Sequence, residues 1–355
     1  MTPCRVAYVV NMFPKLSETF IAYELMELQR RGVAVLVLSL RQPADAIRHE
    51  FIGRSGLDTL AHYDARTFLP VLRQFSPELI HAHFATEPAG AARELAAQIG
   101  APFTFTAHGY DIRRKPPPDF QARAAAARAV VTVSQANARH IVETFGVPAH
   151  HLRVIPCGVD TERFRPAPPA NRRDRPPTIV CVARHVPVKN LGLLLRACAI
   201  LRDRKVVFRC SALGDGPTRP ELEALRAQLQ LEPWVELPGA ADENEVLRWW
   251  QRATVGVLTS QSEGMPVSLM EAAACGVPAV ATAVGGLPEL IDDGVTGRLS
   301  PPGDAPALAT ALQELIEDPS RAEEMGRAAR RRAEERFSLA RQVDLLLELW
   351  REVVP

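Results

Sequence analysis

The chain has 355 residues, of which 47% are hydrophobic, and its formal net charge at pH 7 is +1. This length and apolar content allow two globular domains, and the near-neutral charge gives no reason to expect nucleic acid as a partner. The six cysteines show no paired spacing, which favours reduced core thiols over a disulfide framework. The first residues lack the order of a secretory signal, and no apolar run approaches the ~20 residues that cross a bilayer. We therefore expect a cytoplasmic protein, with peripheral contact at the inner membrane face, through the mildly basic first half, as an additional possibility.

Short β-branched runs alternate with helical patterns along the first part of the chain. Amphipathic stretches such as Glu18–Arg31 and Pro88–Ile99 lie between these runs, and each is followed by a glycine that can end a helix. Strands that are apolar on both faces and separated by helices indicate a buried parallel sheet with right-handed crossovers. The predicted strands are Val6–Val10, Val33–Leu40, Leu79–Ala82, Phe103–Ala107, Val130–Val133 and Leu152–Ile155.

The alternation stops at Arg165–Pro177, whose sequence RPAPPANRRDRPP cannot continue a helix or a central strand. It restarts with strands predicted at Thr178–Ala183, Val206–Leu213, Val235–Leu237, Thr254–Thr259 and Ala279–Ala283. The pattern predicts two doubly wound, Rossmann-like α/β domains. We assign residues 1–165 to an N-terminal domain, 166–177 to a linker, 178–337 to a C-terminal domain, and 338–355 to a C-terminal helix that packs back toward the first domain.

Two carboxylates lie eight residues apart in the stretch SEGMPVSLMEAAACGVPAVATAVGGLPE, residues 262–289. Glu263 follows a predicted strand, and ligands bind beyond the carboxyl ends of strands in open α/β sheets. Pro266 suits the first position of the next helix, where its missing N–H costs nothing. A helix N-terminus with unpaired amides is a typical phosphate site. The amides predicted to be unpaired belong to Val267, Ser268 and Leu269.

Glu271 lies in the alanine-rich helix that follows this phosphate site. At 1.5 Å per residue it is about 6–8 Å along the helix, and its side chain tilts back toward the N-terminus. A diphosphate between Glu263 and Glu271 would therefore bring a ribose near one carboxylate and a second sugar near the other. Either glutamate alone could be an unremarkable surface charge. The glycine turn and proline between them favour a nucleotide-sugar site instead.

The same stretch resembles the carboxy-terminal signature of the retaining glycosyltransferases of family 4, which have the GT-B fold. The matching positions are the two glutamates, a Gly-x-Pro turn, a Glu-Ala-x-Ala-x-Gly-x-Pro segment and a Gly-Gly loop: Glu263, Gly264, Pro266, Glu271, Ala272, Ala274, Gly276, Pro278, Gly285 and Gly286. The resemblance covers nearly the whole chain. It implies transfer of a sugar, with retention of configuration, from a nucleotide-diphosphate sugar to a glycan, lipid-linked or small-molecule acceptor. It places the site in a cleft between the two domains, with residues 1–165 on the acceptor side and residues 178–337 binding the nucleotide sugar. It also implies no enzyme-bound cofactor, because the nucleotide sugar is a substrate.

Two further segments resemble donor-binding parts of that family. VARHVPVKN, residues 182–190, is similar to its phosphate loop, in which Arg184 and Lys189 would neutralise a leaving diphosphate. Two surface cations ahead of a helix are the alternative. LGDGP, residues 213–217, matches a glycine turn of the family, with Gly214 its first glycine. The acidic run ADENEVLRWW is interpreted as a helix cap, with Asp242 at its start, rather than as a metal site.

The first domain carries three candidate segments. TFTAHGYDI places His108 at a strand end, where the resemblance implies an approach to the donor sugar, with Asp111 in a matching position. HAHF places His83 at another strand end, which we interpret as lining of the cleft. The first loop, NMFPKLSETF, lacks the Gly-Gly pair of many relatives, and its Ser-Glu-Thr-Phe form resembles the branch of bacterial exopolysaccharide and cell-surface glycan assembly. Ser17 and Thr19 would replace the glycine amides there.

The predicted site thus has three parts and no metal. The residues predicted to be catalytic are Glu263, His108, Arg184 and Lys189. The residues predicted to bind the donor are Gly264, Met265, Pro266, Val267, Ser268, Leu269, Glu271 and Gly214. The residues predicted on the acceptor side are Ser17, Thr19, His83 and Asp111. Two alternatives remain open: a GT-B-fold sugar-nucleotide epimerase or phosphorylase, and a non-catalytic partner that binds nucleotide sugars. Donor turnover without acceptor would identify the epimerase, and the intact set of charged residues argues against the non-catalytic partner.

Overall fold

The computed structural model of the chain describes residues 4–45, 47, 49–167 and 176–354 and divides into two compact units. The first unit comprises Met1–Gly158 and Leu339–Pro355, and the second comprises Val159–Ser338. Most of the linker predicted at 166–177 lies outside the described residues. Each unit contains its own parallel sheet with helices between the strands, which confirms the predicted α/β class.

The first unit is built on seven parallel strands in the order β3-β2-β1-β4-β5-β6-β7. The strands are β1 Arg5–Met12, β2 Ala34–Arg41, β3 Ala61–His62, β4 Leu79–His83, β5 Phe103–Ala107, β6 Ala129–Thr132 and β7 Leu152–Val154. The helices are α1 Thr19–Arg30, α2 Glu50–Arg54, α3 Phe68–Phe75, α4 Glu87–Ile99, α5 Tyr110–Arg113, α6 Phe120–Ala126 and α7 Gln135–Phe145. Strands β4, β5 and β6 are buried along their whole length, as expected when helices cover both faces of a parallel sheet.

The second unit has six parallel strands in the order β10-β9-β8-β11-β12-β13. The strands are β8 Thr178–Val182, β9 Arg209–Leu213, β10 Val235–Gly239, β11 Val255–Leu258, β12 Ala279–Thr282 and β13 Gly297–Ser300. The helices are α8 Leu191–Asp203, α9 Arg219–Gln228, α10 Glu243–Arg252, α11 Val267–Ala274, α12 Leu287–Leu290, α13 Ala305–Glu317 and α14 Pro319–Arg336. The sequence pattern missed β3 and β13, because the former has two residues and the latter, GRLS, has a single large apolar side chain.

The last helix, α15 Leu339–Val353, returns to the first unit. Its apolar face packs on α1, and Leu346 and Trp350 are buried in the same core as Tyr8 of β1. The leucine and tryptophan spacing of this helix gives it one strongly apolar face, which a surface helix needs to dock on a core.

Residues 159–165 belong to the second unit, although the sequence assigned them to the first domain. Phe164 is fully buried there. The guanidinium of Arg330 on α14 donates to the carbonyls of Thr161, Phe164 and Ala274, at 2.9, 2.6 and 2.5 Å. Because one partly exposed guanidinium contacts three carbonyl groups, this segment is fixed to the second unit and the boundary lies at Gly158.

Among the described residues, none of the helices combines the length and the apolar character required to span a bilayer.

Candidate active site

The three charged residues predicted to be catalytic in the second unit follow the carboxyl ends of two neighbouring strands. Strand β8 leads into the loop with Arg184 and Lys189, and β11 leads into the loop with Glu263. The strand order reverses between β8 and β11. Such a reversal opens a crevice at the carboxyl ends of the strands, where α/β sheets bind their ligands.

Lys189 and Glu263 form a short ion pair at this reversal. The Lys189 Nζ lies 2.5 Å from Glu263 Oε1, and the two side chains are 17% and 10% exposed. Ser260 donates its hydroxyl to the same carboxylate oxygen at 2.5 Å. Charge-assisted contacts of this kind hold a carboxylate in one orientation. Arg184 is exposed and makes no ion pair with any described residue, so its guanidinium is available to an anionic ligand.

Two glycines make close contacts with backbone carbonyl groups of these loops. A Cβ on Gly214, whose φ is +130°, would lie 1.9 Å from the carbonyl oxygen of Ala183. A Cβ on Gly285, whose φ is +53°, would lie 1.9 Å from the carbonyl oxygen of Glu263, which also accepts the N–H of Gly286 at 3.2 Å. Gly214 therefore packs against the loop that carries Arg184, and Gly285 packs against the loop that carries Glu263.

The start of α11 differs in two details from the sequence expectation. Pro266 is the N-cap residue rather than the first helical residue. The N–H of Leu269 donates to the Pro266 carbonyl at 3.2 Å, because the first turn is tight enough for an i→i−3 bond. The expectation that Leu269 is an unpaired donor is therefore wrong. Within the described part of the chain, Val267 and Ser268 have no backbone partner for their N–H groups, and both side chains are partly exposed.

Glu271 lies on the buried side of α11 and is 9% exposed. The indole N–H of Trp250 on α10 donates to Glu271 Oε2 at 3.3 Å. Burial raises the pKa of Glu271 to about 7. A second carboxyl group, Glu243, is also buried, and burial together with the charge of Glu271 raises its pKa to about 8. Near neutral pH, burial therefore disfavours the state in which Glu243 and Glu271 are both ionised. Met265 and Pro266, in the loop before α11, are also buried.

The acidic run at the start of α10 is a helix cap, as expected. Asp242 accepts the N–H of Glu245 at 2.8 Å, which satisfies one of the amides left open at a helix start. The Glu243 carboxyl group instead lies 3.0 Å from the guanidinium of Arg163, which belongs to the segment that enters the second unit.

In the first unit, two histidines from neighbouring strand ends meet. His83 is the last residue of β4, and His108 directly follows β5. The ring nitrogens His83 Nδ1 and His108 Nε2 lie 3.1 Å apart. His108 is partly exposed, whereas His83 is buried and so does not line an open surface as the sequence suggested. Burial and the neighbouring His83 lower the pKa of His108 well below its ordinary value, so the ring is neutral at pH 7.

Asp111 is also buried, contrary to its expected place on the acceptor side. Its oxygens accept the N–H groups of Ala85 at 2.7 Å and His108 at 2.9 Å. Burial raises the pKa of this carboxyl to about 6. The carboxylate therefore positions the backbone after β4 and β5, because each of these chain turns leaves an amide without a sheet partner.

Two side chains hold the backbone of the first loop. Leu16 donates its N–H to Asp45 at 2.8 Å, and its carbonyl contacts His49 Nε2 at 2.9 Å. Ser17 is exposed on this loop, and Thr19 is the first residue of α1. Their proposed contact with donor phosphates stays a prediction.

Glu24, His81 and His83 form a cluster that could in principle hold a metal ion, with ligand atoms within 4.8 Å of one another. Both ring nitrogens of His81 already contact threonine hydroxyls, Thr104 at 2.8 Å and Thr106 at 3.0 Å. Hydrogen bonds therefore account for this buried set without an ion. Glu24 was missed from the sequence, although it stands at helical spacing among buried apolar residues of α1. A single carboxylate among apolar residues at helical spacing is the sequence feature that could have identified Glu24 as a buried polar residue.

Comparison with known proteins identifies both halves of the chain. The sequence-family model "Glycosyltransferase Family 4" matches residues 17–163, and the family model "Glycosyl transferases group 1" matches residues 163–332. The chain is 30% identical over 327 residues to the amylovoran biosynthesis glycosyltransferase AmsK of Erwinia amylovora, covering 86% of this chain and 77% of AmsK. It is 35% identical over 255 residues to the putative colanic acid biosynthesis glycosyltransferase WcaL of Escherichia coli, covering 68% of this chain and 62% of WcaL.

Solved structures show the same fold. A glycosyltransferase from Rickettsia africae superposes with a TM-score of 0.83 at 20% identity, over 98% of both chains. Anabaena HepE in complex with UDP and glucose superposes with a TM-score of 0.80 at 19% identity, over 98% of this chain and 100% of that one. The two parallel sheets described above are thus those of a GT-B protein.

Proposed function

This chain belongs to glycosyltransferase family 4, and on that basis we propose that it transfers a hexosyl group from a nucleotide-diphosphate sugar, with retention of configuration. The bond between the anomeric carbon and the diphosphate oxygen breaks, and a bond from that carbon to an acceptor hydroxyl forms. The acceptor proton leaves with the diphosphate or enters solvent. The observation that carries the proposal is the ion pair of Lys189 with Glu263, at the strand reversal where a ligand is expected.

Cations and amides of the second unit would stabilise the leaving diphosphate. Arg184 is exposed, Lys189 is oriented by its carboxylate partner, and the N–H groups of Val267 and Ser268 open α11. Negative charge that develops on the β-phosphate oxygen would be met by donors already in place, which is the most effective form of transition-state stabilisation. The ammonium group of Lys189 would then contact both the diphosphate and Glu263.

The two glutamates would hold the two ends of the donor. Glu271 lies four residues into α11, about 6 Å along the axis from Val267, and would accept hydrogen bonds from ribose hydroxyls. Glu263, held by Lys189 and Ser260, would face the transferred sugar. In the first unit, His108 is neutral and partly exposed, so it would contact a substrate hydroxyl rather than a phosphate.

For the acceptor we propose a glycan or a lipid-linked glycan, with the protein on the cytoplasmic side of the membrane. AmsK and WcaL are named for polysaccharide biosynthesis, which supports this class. Tyr110 of α5 is 54% exposed, and the adjacent run Arg113–Lys115 is exposed. An exposed aromatic residue and a run of three exposed cations, close together in sequence, suit the headgroup region of an anionic bilayer, which supports a peripheral contact through the first unit.

We propose that the reaction uses no metal ion and no bound cofactor. Arg184, Lys189 and the α11 amides together supply the positive charge that magnesium supplies elsewhere. Transfer is therefore expected to survive saturating EDTA, whereas Arg184→Ala or Lys189→Ala should each cost about 3 kcal/mol of transition-state stabilisation. The measurement is release of nucleoside diphosphate with and without EDTA. Activity that disappears in EDTA and returns with magnesium or manganese would contradict this account.

The donor is identified by thermal shift with UDP, GDP, ADP and their hexose conjugates, since a ligand of the native state raises the melting temperature. Product anomers are then assigned by NMR. Inversion of configuration, or turnover of the donor at full rate without any acceptor, would exclude the proposed transfer.

A further inference from the structure

A buried hydrogen-bonded chain runs from α15 to His108, within the first unit. The side-chain oxygen of Gln342 accepts the N–H of Gly158 at 2.5 Å, and its amide donates to Glu24 Oε2 at 2.5 Å. Glu24 Oε1 lies 3.1 Å from His83 Nε2, and His83 Nδ1 lies 3.1 Å from His108 Nε2. Gln342, Glu24 and His83 are all buried.

The donor and acceptor of each hydrogen bond in this series can be assigned by starting from Gly158 and from Tyr8. The N–H of Gly158 fixes the oxygen of the Gln342 amide, so the amide nitrogen must face Glu24. The hydroxyl of Tyr8 donates to Glu24 Oε1 at 2.6 Å, and burial and Glu24 raise the pKa of Tyr8 well above its ordinary value, which keeps that proton in place. Glu24 is therefore an acceptor on both oxygens, and His83 must donate to it through Nε2.

The remaining proton positions follow for a His83 ring that carries one proton. When that proton is on Nε2, His83 has a lone pair on Nδ1. The nitrogen that faces this lone pair, His108 Nε2, must carry a proton. The lone pair of His108 is thereby left on Nδ1, for which the structure gives no partner among the described residues.

We infer that Glu24 and His83 are positioning residues that hold His108 as the Nε2–H tautomer, so that His108 Nδ1 accepts a hydrogen bond from a substrate hydroxyl. The partner of this nitrogen must be a hydrogen-bond donor, which a sugar hydroxyl is and an ionised phosphate is not. The hydroxyl recognition rests on the proposed function, whereas the tautomer is a property of the free protein and does not.

The tautomer is measured directly in the wild-type protein. Two-bond nitrogen–proton correlation spectra of histidine-labelled protein distinguish Nδ1–H from Nε2–H, and His108→Gln identifies the signal of His108. We expect the Nε2–H form at pH 7. An Nδ1–H form, or an equal mixture of the two, would overturn the inference without need of any further variant.

Two substitutions at one buried position separate positioning from packing. In His83→Asn the amide oxygen stands where Nδ1 was and can still accept from His108. In His83→Gln the amide reaches toward Glu24 but leaves His108 without its acceptor. We expect the Asn variant to keep the Nε2–H tautomer and most of kcat. The Gln variant should lose the tautomer preference and about tenfold to a hundredfold of kcat, the range seen for outer partners of other sites, with donor KM nearly unchanged.

The outcomes of these measurements are distinct from a failure of the proposed function. Equal losses of kcat in both variants, with an unchanged tautomer in each, would show that His83 is structural only and overturn the inference. If the wild-type protein holds the Nε2–H form but transfers no sugar, the proposed function fails while the positioning role of Glu24 and His83 stands.

Discussion

Glu263 and Glu271 flank the start of α11, but their surroundings differ at the atomic level. Glu263 is paired with a lysine and a serine hydroxyl, so its charge is compensated. Glu271 is buried beside an indole and a second carboxyl group, so its charge is not. Two residues of one type in one motif therefore have different electrostatic surroundings, and this difference separates their expected roles.

Replacement of each glutamate should affect a different kinetic constant. Glu271→Ala removes proposed ribose contacts that are equal in ground and transition states, so donor KM should rise about tenfold while kcat is kept. Glu263→Ala frees Lys189 from its orienting partner, so kcat should fall by about a hundredfold. Steady-state kinetics with varied donor measures both constants. Equal and small effects from the two variants would show that these assignments are wrong.

The raised pKa of Glu271 predicts a pH-dependent stability. Its pKa in the folded protein is about 7, above the value of about 4.3 for an exposed glutamate. The folded state therefore holds a proton that the unfolded state has lost, and stability falls as the pH rises from about 4.5 to 7. Glu271→Gln cannot ionise. We expect it to match wild type at pH 4.5 and to exceed it by up to about 3 kcal/mol at pH 8, measured by urea unfolding. A difference that stays constant across this pH range would contradict the burial argument.

At the scale of the elements, the loops after β8 and β11 are positioned by backbone packing on glycines. Gly214 and Gly285 both have positive φ and both touch a neighbouring carbonyl at a distance that excludes any Cβ. The loops that carry Arg184 and Glu263 therefore depend on residues without a side chain.

Gly285→Ala tests this dependence, with Gly303→Ala as the matched control. Both glycines have positive φ, but a Cβ on Gly303 meets nothing within 4 Å. The control should lose only the backbone preference, about 1 kcal/mol. Gly285→Ala must in addition displace the Glu263 carbonyl, so we expect it to lose most transfer activity. The measurement pairs chemical unfolding with the transfer assay. Equal activity in both variants would mean that the Glu263 loop moves aside without consequence.

Much of the fold was predictable at this scale, since β-branched runs between amphipathic helices identify eleven of the thirteen described strands to within a few residues. The positions of Glu263 and His108 at strand ends were predictable, because each residue is polar and follows an apolar run. The site was less predictable where a polar group is buried by tertiary contacts. Asp111 and His83 carry no sequence signal that distinguishes a buried backbone acceptor from an exposed ligand. The bond from Leu269 to Pro266 depends on the geometry of one turn, which residue types alone do not determine.

For the molecule as a whole, the first unit is assembled from two distant parts of the chain. Trp350 of α15 is fully buried, and its ring lies near Tyr8 of β1 and His81 of β4, with centroids 6.3 and 5.6 Å apart. The second unit contains the whole intervening segment.

Trp350→Ala should therefore destabilise the first unit selectively. Loss of a fully buried indole costs about 3–5 kcal/mol, whereas Glu348→Ala, on the exposed face of the same helix, should cost almost nothing. Hydrogen exchange followed by mass spectrometry reports on each unit separately. We expect amides of β1 and β4 to lose protection and those of β8 and β11 to keep theirs. Equal loss in both sheets would show that the two units unfold as one.

The return of α15 to the first unit also has a consequence for synthesis on the ribosome. Domains generally fold in the order in which they emerge, yet here the domain that emerges first must wait for residues that follow the entire second domain. Until Gln342 has left the exit tunnel, Glu24 lacks the hydrogen bond from the Gln342 amide, and α15 does not yet cover the apolar face of α1. A nascent chain of this protein is thus expected to expose apolar surface on its first domain, while its second domain is the first to complete its fold.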